Sequence, residues 1–149
     1  MIRAACHCGS VRLTLEPAPR WVLDCNCSIC RRYGALWAYT QNPGDGKPVL
    51  RASIVQGADA LEGYVWGDRW SAVWRCKACG CVMCGGMSLD RPENLRTVNA
   101  RMFVDFDPAG VTIQRIDNAH TGRFWTRPDA EILKGRQELM PPPGPDDWR

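Results

Sequence analysis

Cysteines grouped in three short segments constrain the fold of this chain of 149 residues more than any other feature. In chain order the nine cysteines are Cys6 and Cys8, then Cys25, Cys27 and Cys30, then Cys76, Cys79, Cys81 and Cys84. Cys-x-Cys and Cys-x-x-Cys spacings place two thiolates on one tight turn, where both can reach a tetrahedral metal ion. The clusters therefore predict metal binding, with folding bringing distant segments together around the metals.

Two other uses of cysteine are alternatives to zinc. A disulfide framework is typical of small secreted proteins, but the cysteine count is odd and no apolar signal-peptide stretch precedes Cys6. We therefore expect a reducing cytoplasmic location. An iron–sulfur cluster is the second alternative, because cysteine ligands alone do not choose between iron and zinc. Its usual signatures gather four cysteines on close segments, unlike the clusters of this chain.

Length, composition and charge limit the number of domains and the kinds of partner that we expect. A chain with 45% hydrophobic residues is long enough for one globular domain over residues 1–149, with a Pro-rich extended tail over about residues 136–149. The net charge of +3 forms no basic stripe beyond Arg31 and Arg32, so we expect no nucleic-acid partner. No apolar run approaches the ~20 residues that cross a bilayer, so we expect no membrane partner.

Short alternating segments predict a mainly β fold of antiparallel sheets with little helix. Apolar and polar residues alternate over residues 11–16 and 111–116, which is typical of half-buried strands. Residues 95–104 are a further extended candidate. Residues 27–33 predict a single helical turn, and residues 128–134 predict a helix with an acidic start and a glycine stop.

The cysteines divide into two ligand sets. A structural zinc takes four ligands, typically two from each of two segments. The set that fits this rule comprises Cys6, Cys8, Cys76 and Cys79. The three thiols that share one loop are Cys25, Cys27 and Cys30. Three protein ligands with an open fourth position are typical of a catalytic zinc.

Cys81 and Cys84 are surplus to this division and leave three alternatives open. In one, Cys81 replaces Cys79 as a ligand. In another, Cys81 or Cys84 closes the open position of the second zinc, which would end the enzymatic hypothesis. In the third, both are buried free thiols, a common state of cysteine.

These segments resemble the signature blocks of the glutathione-dependent formaldehyde-activating enzyme family. The blocks are Cys-His-Cys-Gly-Ser-Val at residues 6–11, the thiol loop at residues 25–35 and Cys-Lys-Ala-Cys-Gly at residues 76–80. Val-Asn-Ala-Arg at residues 98–101 resembles a further motif, so the similarity spans about residues 4–125. The resemblance implies an Mss4-like fold of antiparallel β-sheets pinned by a structural zinc.

The resemblance also implies a function. Family members are associated with joining glutathione to formaldehyde, classed in the reverse sense as a carbon–sulfur lyase. It implies two zinc ions with the ligand sets given above, glutathione as co-substrate, and a catalytic site at Cys25, Cys27 and Cys30. The expected partners are thus a small thiol and a small aldehyde, and a homodimer is left open. Cys81 departs from the family pattern, which usually has a small polar residue there.

Arg31 and Arg32 follow the thiol loop directly. Zn²⁺ with three thiolates carries a net charge of −1, which disfavours an incoming anion unless positive groups lie nearby. The two guanidiniums are candidates to bind the carboxylates of glutathione; the alternative is a bond to the thiol cluster or a surface ion pair. A second hypothesis of a different class is a zinc-stabilised module that binds a partner or carries a small thiol without catalysis.

We expect no catalytic role for the two histidines or for a run of three tryptophans. His7 lies between two predicted ligands and His120 has no cysteine near it in the sequence, so we expect structural or solvent-facing roles for both. Trp66, Trp70 and Trp74 recur every fourth residue and are predicted to pack in the core; the alternative is that one or two of them line a pocket.

Overall fold

The structure, a computed structural model, describes residues 1–41, 48–66, 69, 71–87, 91–92, 94–107, 110–120 and 123–124. Its strands are β1 (Ile2–Ala5), β2 (Arg12–Glu16), β3 (Trp21–Cys25), β4 (Leu36–Tyr39), β5 (Arg51–Gln56), β6 (Leu61–Val65), β7 (Ala72–Cys76), β8 (Val82–Gly86), β9 (Leu95–Asn99), β10 (Thr112–Asp117) and β11 (Arg123–Phe124). The α-helix of the described residues is α1 (Cys30–Tyr33), and 3-10 turns span Ala58–Ala60 and Ala100–Met102.

The strands form two sheets. The smaller sheet has the order β1-β2-β5, and the eight-stranded sheet has the order β11-β10-β3-β4-β9-β8-β7-β6. Neighbouring strands are antiparallel except β3 and β10, which run parallel with Cys25 opposite Ile116. The prediction of a mainly β fold with antiparallel sheets and little helix is confirmed, and the parallel pair is its one exception among the described strands.

The structure confirms three of the predicted elements and corrects the end of a fourth. The two alternating segments are β2 and β10, and the predicted helical turn is α1. The extended prediction over residues 95–104 is correct only as far as Asn99. There the Asn99 side chain accepts a hydrogen bond from the Arg101 N–H at 3.2 Å and caps the 3-10 turn Ala100–Met102. A local side-chain bond of this kind offers the backbone an alternative to the strand.

Three predictions fall on parts of the chain that the structure leaves undescribed. The helix predicted over residues 128–134, the extended tail predicted over residues 136–149, and Trp70 lie outside the described residues. Within the described ranges, no helix combines the length and the apolar character needed to cross a membrane.

The main core lies between the two sheets. Alternation along β2 turns Leu13 and Leu15 inwards, where both are fully buried. They share one apolar cluster with Val22, Met83 and Val98 of the eight-stranded sheet. Trp74 belongs to the same cluster and is buried, so the prediction of core packing is confirmed for this residue.

A second apolar cluster covers the other face of the eight-stranded sheet. On β3, Val22 belongs to the main core whereas Leu23 and Cys25 belong to the second cluster, as expected from the alternation of side chains along a strand. Trp66 packs against this second cluster, as predicted for a core residue. The two predicted ligand sets are thereby separated: Cys6 lies in the main core and Cys25 on the opposite face.

Candidate metal centres

The first predicted ligand set forms a compact group, the four-sulfur site, made of Cys6, Cys8, Cys76 and Cys79. All four sulfurs lie within 4.8 Å of one another. Cys6 Sγ is 3.5 Å from Cys8 Sγ, which is 3.7 Å from Cys76 Sγ. Four thiolates around a zinc ion at about 2.3 Å would have S···S edges of about 3.8 Å, whereas a disulfide bond is about 2.05 Å long. The donor set therefore fits a tetrahedral metal ion.

One half of the four-sulfur site is a tight turn closed by backbone hydrogen bonds. The Cys6 N–H donates to the Val11 carbonyl at 3.1 Å, and the Gly9 N–H donates to the Cys6 carbonyl at 2.9 Å. The Val11 N–H also donates to Cys6 Sγ at 3.3 Å. Gly9 has φ +76°, a conformation that residues with a Cβ rarely adopt. The glycine allows the chain to turn back into β2.

The other half is a related turn in which Cys76 takes the place of Cys6, while the second cysteine and the glycine each come one residue later. The Cys76 N–H donates to the Cys81 carbonyl at 2.9 Å, and the Gly80 N–H donates to the Cys76 carbonyl at 2.9 Å. Gly80 has φ +72°. The first turn joins β1 to β2 of the smaller sheet, and the second follows β7 of the larger sheet. A metal bound here would join the two sheets.

Hydrogen-bond donors stabilise the thiolate form of two cysteines in this site. Backbone N–H groups of Cys81 and Cys8 lower the pKa of Cys79 to about 5. Ser10, whose Oγ lies 3.3 Å from Cys8 Sγ, lowers the pKa of Cys8. Burial acts in the opposite direction on Cys6 and raises its pKa to about 11. Since a metal ion binds the thiolate, the turns present two sulfurs that ionise readily.

The second predicted ligand set forms the three-sulfur site, made of Cys25, Cys27 and Cys30. Their sulfurs also lie within 4.8 Å of one another. Cys25 ends β3, Cys30 begins α1, and Cys27 lies in the turn between these elements. Cys25 and Cys27 are buried and Cys30 is half-buried. The structure thus brings together the three thiols that the sequence pattern grouped.

The three thiols alter one another's ionisation. Hydrogen bonds from Cys25 and then Cys30 lower the pKa of Cys27 to about 2. The Cys27 sulfur in turn raises the pKa of Cys25 to about 12, and Cys25 and Cys27 together raise the pKa of Cys30. One thiolate in the group therefore disfavours a second, as expected for like charges. A metal dication compensates this repulsion, so this donor set also fits a metal ion.

A buried indole supports the three-sulfur site from the neighbouring strand. Trp37 of β4 is buried, and its Nε1–H donates to Cys30 Sγ at 3.2 Å. A hydrogen bond to a ligand atom fixes its orientation and stabilises its charged form. The sequence pattern did not single out Trp37, since nothing in the spacing of a tryptophan seven residues after a cysteine indicates this contact.

The loop between the thiols is anchored to β10. Asn26 Nδ2 donates to Asp117 Oδ1 at 2.7 Å, and the Ala119 N–H donates to Asn26 Oδ1 at 2.9 Å. His120 Nδ1 lies 2.9 Å from the same Asp117 oxygen. The parallel pairing of β3 with β10 produces this arrangement, because Cys25 is opposite Ile116. His120 is therefore linked to the thiol loop through Asp117, although no cysteine is near it in the sequence.

Arg31 and Arg32 are exposed on α1, next to Cys30. Arg32 Nη1 donates to the Ser28 carbonyl at 2.7 Å, so this side chain closes the thiol loop. This bond to the loop backbone is neither the bond to a thiol nor the surface ion pair that were the alternatives to substrate binding. The role of both arginines in substrate binding stays a prediction.

The motif at residues 98–101 has a structural explanation. Asn99 is buried; its Oδ1 accepts from the Leu36 N–H at 3.2 Å, and its Nδ2 donates to the Val82 carbonyl at 2.9 Å. Arg101 Nε donates to the carbonyl of Gly34, which ends α1. The motif therefore connects β4, β8 and β9 and holds the helix that follows the three-sulfur site.

The two surplus cysteines belong to neither sulfur group. Cys84 is fully buried in β8, and burial raises the pKa of its thiol to about 12. Cys81 lies beside the four-sulfur site: the His7 N–H favours its thiolate, but burial and Cys79 raise its pKa overall. All nine cysteines are free thiols. The four-sulfur group contains Cys79 and not Cys81, and neither surplus sulfur lies within the three-sulfur group.

No protein-family model matches the sequence. The chain is similar to the crystal structure of a protein from Rhodobacter sphaeroides, a structural-genomics target, with 27% sequence identity and a TM-score of 0.55. The aligned region covers 74% of this chain and 97% of that chain. A protein of known structure therefore shares this fold, and the function has to be argued from the sites.

The described residues also line a cavity of about 660 Å³. Its walls include Thr40, Leu50, Arg51, Ile54 and Leu95, and none of the cysteines lines it. The cavity is thus separate from both sulfur sites.

Proposed function

We propose that the protein is a zinc-dependent carbon–sulfur lyase that joins glutathione, or a similar thiol, to formaldehyde or another small aldehyde. The observation that supports the proposal is the three-sulfur site, where Cys25, Cys27 and Cys30 can each offer one ligand atom to a metal ion and, among the described residues, neither surplus cysteine joins the group. Three protein ligands with an open position are typical of catalytic zinc, whereas structural zinc has four. Soft thiolate donors in a tetrahedral set suit zinc.

The proposed reaction is an addition that needs no oxidant or reductant. The thiol sulfur forms a bond to the carbonyl carbon while the C=O π bond opens. The thiol loses its proton, and the new hydroxyl oxygen gains one. Zinc bound at the three-sulfur site would supply a Lewis-acidic position that favours the thiolate form of the substrate at neutral pH.

Two contacts of the chain support this use of the three-sulfur site. Trp37 holds Cys30 Sγ by a hydrogen bond of 3.2 Å, and Asn26 ties the loop to Asp117 at 2.7 Å. Residues that orient metal ligands in this way maintain the geometry on which affinity and activity depend. The burial of Cys25 and Cys27 strengthens electrostatic interactions at the site.

Arg31 and Arg32 are the proposed binding groups for the carboxylates of glutathione. Both are exposed and adjacent to Cys30. The hydrogen bond of Arg32 to Ser28 uses one of the five N–H donors of a guanidinium. The remaining donors can form bidentate pairs with a carboxylate. Their positive charge also offsets the net charge of −1 that zinc and three thiolates would carry.

The four-sulfur site has a structural role in this proposal. Cys6, Cys8, Cys76 and Cys79 would hold a second zinc with four protein ligands, which leaves no position for a substrate. The expected content is two zinc ions per chain, of which one is accessible to thiols.

The first experiment measures zinc per chain under reducing conditions, before and after incubation with glutathione and a mild chelator. We expect about two zinc ions, one of which becomes labile. Cys27→Ser should lose that ion and retain the other, and Cys84→Ala, which changes a thiol outside both sites, should retain both. In the same samples, NMR magnetisation transfer between free and thiol-bound ¹³C-formaldehyde should show faster exchange with the wild type than with Cys27→Ser.

One observation favours a second candidate function. The described cavity of about 660 Å³ lies away from the thiols, as in a module that binds a partner while its metals only hold the fold. This non-catalytic function predicts that both zinc ions are indifferent to glutathione. It also predicts that the protein leaves the exchange of formaldehyde unchanged.

A further inference from the structure

We infer that Arg101 is a third carboxylate-binding residue beside the three-sulfur site, and that the thiol substrate carries two carboxylates. This inference rests on the proposed function and deepens it, because it narrows the class of thiol that the site accepts to dicarboxylates such as glutathione. Arg31 and Arg32 of α1 would bind one carboxylate of the substrate, and Arg101 would bind the other.

Two hydrogen bonds place the guanidinium of Arg101 at the end of α1. Its Nε donates to the Gly34 carbonyl, and the Ala35 N–H donates to the Cys30 carbonyl at 3.3 Å. The Gly34 oxygen and the Ala35 nitrogen belong to one planar peptide group, in which they are about 2.3 Å apart. The Nε of Arg101 therefore lies within about 9 Å of the backbone oxygen of Cys30, a proposed metal ligand.

This position suits a substrate as long as glutathione. Glutathione carries its sulfur on the central residue and a carboxylate at each end, and an extended chain of three residues spans about 10 Å. With the sulfur at the three-sulfur site, one terminal carboxylate can therefore reach the end of α1. A thiol with a single carboxylate, such as cysteine, leaves one of the two binding groups without a partner.

Backbone contacts hold Arg101 in place and leave most of its donors free. Its N–H donates to Asn99 Oδ1 at 3.2 Å, and the same oxygen accepts from the Leu36 N–H at 3.2 Å. A guanidinium has five N–H donors, of which the bond to Gly34 uses one. The two Nη groups can therefore form a bidentate pair with a carboxylate. Because the side chain is already ordered, binding costs little of its conformational entropy.

Charge distinguishes Arg101 from arginines elsewhere on the sheets. Arg51, for example, pairs with Glu16 at 2.8 Å. Among the described residues no carboxylate pairs with Arg101, and the nearest acid in the sequence, Asp105, pairs instead with Arg3 at 3.4 Å. The two arginines of α1 also have no acidic partner within the described part of the chain. Three unpaired cations around one short helix favour a ligand with more than one negative charge.

The test measures the binding of three thiols to the zinc-loaded, full-length protein by isothermal titration calorimetry. Glutathione has both carboxylates, its glycyl ethyl ester lacks the charge at the glycine end, and cysteinylglycine lacks the γ-glutamyl end. The wild type should bind glutathione about 10- to 100-fold more tightly than the other two thiols. Arg101→Gln should bind glutathione about 10- to 100-fold more weakly than the wild type. It should bind one of the other two thiols, the one without the carboxylate that Arg101 contacts, as the wild type does.

Two further variants separate substrate binding from support of α1. Arg96→Gln removes an exposed arginine of β9 and should match the wild type with all three thiols. Arg101→Lys keeps the positive charge without the planar fork, so it should show the same selective loss for glutathione, but a smaller one. In the formaldehyde exchange assay, Arg101→Gln should raise the KM for glutathione and leave kcat nearly unchanged, as expected when an interaction common to ground state and transition state is lost.

The outcomes separate the inference from the proposed function. If Arg101→Gln and Arg101→Lys weaken the binding of all three thiols by the same factor, or lose zinc from the three-sulfur site, the arginine only supports α1 and the inference is wrong. If the wild type accelerates exchange but binds the three thiols equally, the inference is again wrong and the lyase proposal stands. If the zinc-loaded wild type neither binds glutathione nor accelerates exchange, the proposed function itself fails.

Discussion

Cys8 Sγ lies 3.7 Å from Cys76 Sγ, although 68 residues separate the two cysteines. Cys8 lies in the turn between β1 and β2 of the smaller sheet, and Cys76 ends β7 of the larger one. The pair is therefore a point at which a metal would hold the two sheets together. The apolar cluster between the sheets contains Cys6 and Cys76, so this candidate metal site is continuous with the main core.

Replacing Cys79 of the four-sulfur site should destabilise the protein more than replacing Cys81, the neighbouring cysteine outside the site. Cys79→Ser should lose one zinc ion and lower the free energy of unfolding by about 3 kcal/mol or more, because metal binding contributes directly to folding. Cys81→Ser should retain both ions, since its sulfur lies outside the four-sulfur site. Zinc analysis and urea denaturation of the two variants check this. The reverse pattern would make Cys81 the ligand.

Removing the Asn26 side chain, which anchors the thiol loop, should weaken zinc binding at the three-sulfur site and leave the four-sulfur site unchanged. Asn26→Ala loses the hydrogen bonds to Asp117 and to the Ala119 N–H. We expect zinc at the three-sulfur site to bind about 10-fold more weakly, a typical effect of removing a residue that supports metal ligands. Competition with a chromogenic chelator measures the affinity. The four-sulfur site of the same variant is the internal control, and equal weakening of both ions would contradict the prediction.

Asn99→Ala should be strongly destabilising. The change leaves the buried Leu36 N–H and Val82 carbonyl without their side-chain partner. Unsatisfied buried polar groups cost about 1–3 kcal/mol each, so for two such groups we expect a loss of about 2–6 kcal/mol in the free energy of unfolding. Gln56→Ala is the matched control, because this amide is exposed and its bonds to Gly9 and Ser10 are 3.4 and 3.5 Å long. Similar losses in both variants would argue against the role of Asn99.

Two glycines with positive φ should respond differently to alanine. Gly57 has φ +74°, and a Cβ there would lie 2.1 Å from the Ser10 carbonyl oxygen. Gly34 has φ +59°, with no atom within 4 Å of such a Cβ. Both variants incur the left-handed strain of about 1–2 kcal/mol, so the difference isolates the clash. We expect Gly57→Ala to be less stable than Gly34→Ala by about 1–3 kcal/mol in denaturant unfolding; equal stabilities would mean that the backbone relaxes freely.

The buried thiol of Cys84 should make stability depend on pH in the alkaline range. Burial raises its pKa from 9.0 to about 12. Above pH 9.0 the unfolded chain loses this proton while the folded chain keeps it, so the unfolded state binds fewer protons. The stabilising contribution is fully present below pH 9.0 and is lost as the pH rises towards about 12.

The comparison uses unfolding free energies of the wild type and Cys84→Ala at about pH 8 and about pH 10.5. The advantage of the wild type should shrink at the higher pH. A difference that is the same at both values would show that Cys84 ionises equally in the folded and unfolded states.

Local patterns in the sequence predicted much of the fold and the grouping of the thiols. The alternation over residues 11–16 and 111–116 predicted β2 and β10, because alternate residues of a strand face one side of its sheet. The extended prediction over residues 95–104 was wrong beyond Asn99, where a side-chain hydrogen bond begins a 3-10 turn. Such a bond competes with strand formation and leaves no mark on the hydrophobic period.

By itself, the sequence determined which thiols share a turn, since Cys-x-Cys and Cys-x-x-Cys spacings set short local distances. Only the tertiary structure decided that Cys84 is buried in the core and that Trp37 contacts Cys30. It also decided that Asp117 meets Asn26 across 91 residues. The physical reason is that these contacts follow from strand pairing and from the direction of side chains across a sheet. Parallel β3 and β10 align Cys25 with Ile116, and neither spacing nor hydrophobic period encodes that register.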